Sequence, residues 1–145
     1  MAFRDTKAVR AHVLSLARKA APALALVFVA AGCGSSTDPL PARAVAMDAP
    51  AIFETWWHEV EQCSGMTGDF AGISWYYVPG AGSFAVGSDP EVVGFWQASN
   101  HSITLAQSVR EYAPVVRHEE LHAILRRADH PPEYFQDKCG SIVAH

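Results

Sequence analysis

Positive charge is scarce over most of this chain. Of its eleven Lys and Arg residues, five (Arg4, Lys7, Arg10, Arg18 and Lys19) fall before residue 20, together with only one of the fifteen acidic residues, Asp5. The remainder carries six basic against fourteen acidic side chains, a net charge of −8 with histidines neutral. That balance excludes nucleic-acid binding through a basic footprint. It also gives no electrostatic hold on an anionic membrane surface. A long apolar run is missing too: the strongest, residues 21–31, is shorter than the about 20 residues a membrane-spanning helix takes. There is no internal repeat, and 145 residues leave room for one small domain. Cysteine occurs three times, never with a second cysteine at short spacing, which counts against a zinc cluster built on cysteine pairs.

What the first third does have is the order of a secretory signal, a basic segment followed by a short apolar stretch that ends in small residues. It closes on Ala30-Ala31-Gly32-Cys33, which resembles the lipobox of bacterial lipoproteins. The resemblance implies that residues 1–32 are a signal peptide and that Cys33 is lipidated, anchoring the exported chain to a membrane of the cell envelope. Ala30 stands where that pattern usually has leucine, so cleavage after Ala31 to give a secreted or periplasmic protein stays open. Gly34 in place of an aspartate leaves inner against outer membrane open as well. Residues 33–47, small, polar and proline-containing, are expected to be the lipidated cysteine and a flexible tether, and residues 48–145 the folded domain. A domain of that size buries only about two-thirds of its unfolded surface, so a covalent staple helps. With Cys33 lipidated, Cys63 and Cys139 remain to form a disulfide in an oxidising compartment, worth roughly 4–5 kcal/mol in chain entropy.

Within that domain Asp48 is placed to cap a helix starting at Ala49, with Pro50 in its first turn. Ile52, Phe53, Trp56, Trp57 and Val60 recur at helical spacing, and Gly65 ends the segment soon after Cys63. His58 on this helix reads as a surface histidine rather than a ligand. Residues 73–78 are rich in β-formers, and after Pro79-Gly80-Ala81-Gly82 residues 83–86 are expected to return as their hairpin partner. Beyond Ser88-Asp89-Pro90 a second pair is expected at 92–98 and 103–106, with Asn100-His101 at the turn. A last helix is expected from about Pro114 to Arg127, before Ala128-Asp129-His130-Pro131-Pro132 stops it. The expected fold class is α+β: a short, twisted, mostly antiparallel sheet packed on these two helices.

The chemistry sits on the last helix, in His118-Glu119-Glu120-Leu121-His122. Histidines at i and i+4 lie one turn apart on one helix face, within reach of a single metal ion. Glu119 projects beside them, placed to act as general base rather than as a ligand. The segment, with a further histidine just past the helix, resembles the HExxH signature of the zincin metallopeptidases. The resemblance implies a zincin-like domain that hydrolyses peptide bonds, with one zinc ion per chain and a peptide or protein as substrate. It also implies a motif helix lying under a small sheet, one edge strand of which holds the substrate backbone. The segment 103–106 is the candidate for that edge, an internal strand being the alternative. The longer metzincin pattern, HExxHxxGxxH, is not met: Leu125 stands where its glycine belongs, and His130 falls eight residues after His122. The resemblance therefore reaches the superfamily and no subfamily.

Catalytic zinc takes three protein ligands. His130 is the expected third, because three neutral histidines leave the ion its full charge to acidify water. Asp129 is the alternative ligand, or else the acceptor of a ligand histidine's N–H that orients its ring, and His101 is the next candidate. Tyr134 is placed to donate a hydrogen bond to an oxyanion, with a packing role as the alternative. Two non-catalytic readings stay open: a zinc-binding envelope lipoprotein of the same fold, and a structural lipoprotein without metal.

Overall fold

The computed structural model describes residues 39–144; the signal segment and the lipidation candidate Cys33 lie outside them. The described elements run β1 (Val45–Ala46), α1 (Ala51–Ser64), β2 (Ser74–Val78), β3 (Phe84–Val86), β4 (Asp89–Val92), β5 (Gly94–Gln97), β6 (Ser102–Ala106) and α2 (Ala113–Leu125), followed by a π-helical segment, Glu133–Lys138. No helix among the described residues is long and apolar enough to cross a membrane.

α1 forms on the predicted spacing: Phe53, Trp57, Val60 and Ser64 recur every three or four residues and make its buried face. Its start differs. Asp48 does not cap it; Pro50 occupies the cap position without a side-chain hydrogen bond, and the helix begins at Ala51. The residue before a proline is disfavoured in the helical region, so the helix cannot take in Ala49.

The main sheet has the order β1-β2-β6-β5, with β2 and β6 parallel and the other two pairings antiparallel. The domain is thus α+β with a mostly antiparallel sheet. One expectation, the pairing of residues 83–86, is corrected here, and two further points are placed. The folded part begins before residue 48, since Val45 and Ala46 pair with Tyr77 and Tyr76. Residues 83–86 do not pair with β2: β3 pairs with β4 across the two-residue loop Gly87-Ser88, where Gly87 takes φ +56°. Such tight loops match the twist of their strands and outcompete a longer connection; Pro90 is tolerated because β4 is an edge. Finally, β6 is internal rather than an edge. β2 and β5 flank it, and all five of its residues are buried.

One sheet face carries Trp75, Trp96, Ile103 and Leu105, which pack with Phe53, Trp57 and Val60 of α1 and with Val116, Leu121 and Ile124 of α2. The other face meets the β3–β4 hairpin through Val78, Ala106, Ala81 and Phe84. A disulfide joins Cys63 at the end of α1 to Cys139 just past the π segment, with Cα atoms 5.3 Å apart and the two cysteines 76 positions apart in sequence. In the chain-entropy model a loop of that length is worth about 4.5 kcal/mol. The bridge ties the C-terminal segment to the core, and that segment completes the site.

Candidate metal centre

α2 begins with Pro in its first turn, where a missing N–H costs nothing. It is buried on most of its circumference, packed against α1, β5 and β6. His118 and His122 sit one turn apart with ring centroids 4.8 Å apart. The helix ends at Leu125, two residues sooner than expected, because Arg126 turns into the left-handed region (φ 54°, ψ 41°). Its N–H bonds the Ala123 carbonyl and that of Arg127 the His122 carbonyl, which offsets the strain of a left-handed residue with a side chain. This reversal brings His130 back over the helix.

The three imidazoles converge. His118 Nε2 lies 3.1 Å from His122 Nε2 and 3.0 Å from His130 Nε2, and the last two are 3.2 Å apart. The far sides of two rings fix their tautomers. His118 Nδ1 is 2.8 Å from the Ala144 carbonyl oxygen and His122 Nδ1 is 2.8 Å from that of Arg127. A carbonyl only accepts, so in the neutral rings both Nδ1 atoms carry the proton and donate it, leaving two bare Nε2 lone pairs facing each other. No hydrogen bond can join that pair. A shared cation makes the convergence favourable. Tetrahedral zinc with bonds of about 2.0–2.1 Å sets its ligand nitrogens about 3.4 Å apart, within a few tenths of an ångström of this triangle. Burial first, and then the repulsion that a protonated His118 would exert, hold the His122 imidazole down at about 4, in the neutral form that ligates. The donor set fits one metal ion, and this is the only such histidine or carboxylate group among the described residues.

Glu119 stands outside the triangle, buried against β5. Burial pushes its carboxyl up to about 8, against the pull of a hydrogen bond from the Trp96 backbone. It fits only because residue 94 is glycine: an ideal Cβ there would lie 2.5 Å from Glu119 Oε1. The three histidines and Glu119 open on one cleft of about 460 Å³, walled by residues 91–96. β5 has no strand on its outer side among the described residues. The Ala106 N–H donates to the Val93 carbonyl, so alternation along this antiparallel ladder turns the Gly94 and Trp96 backbone groups outward. The sheet edge that borders the cleft is therefore β5, not residues 103–106.

Other sequence-predicted residues fall differently. Asp129 accepts from Arg127 Nε at 2.8 Å and Nη2 at 2.6 Å, not from a histidine; main-chain carbonyls take the orienting role expected of it. An exposed carboxylate next to a guanidinium fork closes on it sooner than on a buried ring. Tyr134 packs under Lys138, whose Nζ is 4.6 Å from its ring centre, and does not line the cleft. His101 sits exposed at the β5–β6 turn, outside the cluster. The roles of three participants are not visible in the sequence. Phe135 packs against the rings of His118, His122 and His130, with centroids 5.0, 4.7 and 4.7 Å away; an aromatic just after the double proline was its only signal. The Ala144 carbonyl has no sequence signal. Glu120 is fully buried with neither carboxylate oxygen hydrogen-bonded, and burial pushes it up to about 9.

Comparison with protein-family models, with curated proteins and with solved structures finds nothing that matches this chain.

Proposed function

We propose that this chain is a zinc-dependent hydrolase of peptide bonds, with His118, His122 and His130 as the ligands and Glu119 as the general base. The observation that carries the reading is the histidine triangle with the buried Glu119 carboxyl beside it on one cleft. Zinc held by three neutral imidazoles supplies a Lewis acid that polarises a carbonyl and brings water toward a pKa of about 7. Glu119 accepts the proton of the attacking water on its carboxylate and passes it to the leaving amine. Its burial makes that carboxylate a stronger base than an exposed one, and the Trp96 backbone hydrogen bond fixes its orientation. The outward backbone groups of Gly94 and the Trp96 carbonyl offer an extended substrate the hydrogen bonds of an added strand, while the Trp96 N–H holds Glu119. Phe135 and the Ala144 and Arg127 carbonyls hold the rings in register.

The Cys63–Cys139 bridge supports the accompanying proposal that the chain is exported, with Cys33 as its lipid anchor. The test of function is hydrolysis of mixed peptides by the zinc-loaded protein, its chelated form and Glu119→Gln. Turnover lost in both the chelated protein and the variant is the expected result. Full activity without metal, or wild-type turnover in Glu119→Gln, overturns the proposal. Stoichiometric zinc with no Glu119-dependent hydrolysis instead favours the non-catalytic zinc-binding lipoprotein.

A further inference from the structure

The cleft over the histidines carries side-chain charge of one sign. Asp89 and Glu91 lie two residues apart on β4, hence on one face of that strand, and both line the cleft. Both are exposed, and among the described residues neither forms an ion pair. No Lys or Arg lines the cleft, and Arg127, on the loop leading to His130, is committed to Asp129. Chain continuity ties this acidic pair to the free sheet edge, because β4 passes through Val93 directly into β5 at Gly94. At about 3.3 Å per residue, Glu91 and Asp89 are within roughly 10–17 Å of Gly94 along the backbone. A substrate residue a few positions from the bond over the histidines is in reach of them.

We propose that the cleft selects polypeptides bearing a lysine or arginine within a few residues of the bond presented to the histidines, and that Asp89 and Glu91 recognise that cation. The inference rests on the peptide-hydrolase reading of the same site and names its substrate class. Two exposed carboxylates on a mobile cation give modest attraction, about threefold to tenfold in affinity, and salt screens it. The acidic balance of the chain adds long-range steering of cationic peptides.

Binding provides a test independent of turnover. The full-length zinc-loaded Glu119→Gln protein is titrated, through its tryptophan fluorescence, with peptides differing only in Lys, Gln or Glu at one position. The Lys peptide is expected to bind about threefold to tenfold tighter than the Gln peptide, and the Glu peptide more weakly still. That ranking should flatten in Asp89→Asn/Glu91→Gln, reverse in Asp89→Lys/Glu91→Lys, and shrink at high salt. Equal binding of the three peptides, no binding of any, or a ranking that survives both double variants overturns the inference. Turnover of the same peptides by the wild type separates the two claims. Hydrolysis without charge preference leaves the hydrolase and removes the acidic recognition; charge-selective binding without hydrolysis does the reverse.

Discussion

Replacing Glu120 by Gln should stabilise the protein at neutral pH, and by an amount that grows with pH. Glu120 is fully buried, neither oxygen has a partner, and its carboxyl is pushed up to about 9 by burial, with Arg117 pulling down and Glu59 pushing up more weakly. A carboxyl whose folded pKa exceeds its unfolded value must take up a proton on folding. Below the unfolded value of 4.5 that uptake is free; as pH rises toward 9 the folded state loses about 1.4 kcal/mol per unit. At pH 7 the penalty is about 3 kcal/mol, a large share of the 5–15 kcal/mol typical of a domain. Gln keeps the shape and removes the titration. Urea unfolding of the metal-free protein at pH 5 and pH 8 measures it, since Glu119, also raised, is common to both proteins. The advantage of Glu120→Gln over wild type should widen by about 4 kcal/mol between the two. An advantage that stays the same at both pH values would refute the reasoning and mean that Glu120 has a partner in solution.

His130→Ala should lose most of the zinc affinity, whereas Asp129→Ala, which removes only an exposed pair with Arg127, should change it by no more than about fivefold in a competition titration. Deleting residues 141–145 removes the carbonyl that orients His118 and should weaken zinc about 10–100-fold, read by the same titration, with α1 and the sheet intact by circular dichroism. Exported protein should have a non-reduced mass two hydrogens below its reduced mass, and Cys63→Ser/Cys139→Ser should lose up to about 4.5 kcal/mol of stability in urea; free thiols at both positions would refute the bridge.

The parts legible in the sequence were those set by local periodicity. The four-residue step from His118 to His122 matches a helical turn, and the proline after His130 marks where the helix must already have ended, so the approach of these histidines to one another was legible, while the choice of His130 over Asp129 was not fixed by spacing. What escaped was set by neighbours distant in sequence. Whether residues 103–106 are edge or interior depends on β5 pairing beside them, and no pattern within those four residues encodes it. The acceptor for a ligand N–H turned out to be backbone, at Ala144 and Arg127, and a carbonyl is the same in every residue. Glu120 reads as one more charge in a polar run; only the packing of α1 against α2 makes it a core residue.

The central claim is that three histidine nitrogens share one ion, and X-ray absorption at the zinc edge of the loaded protein tests it most directly. The expected spectrum shows one zinc per chain with three imidazole nitrogens at about 2.0–2.1 Å and one further light-atom ligand. In His130→Ala the imidazole count should fall to two. A zinc that binds with sulfur ligands, with fewer than three imidazoles in the wild type, or with an unchanged count in His130→Ala would contradict the account.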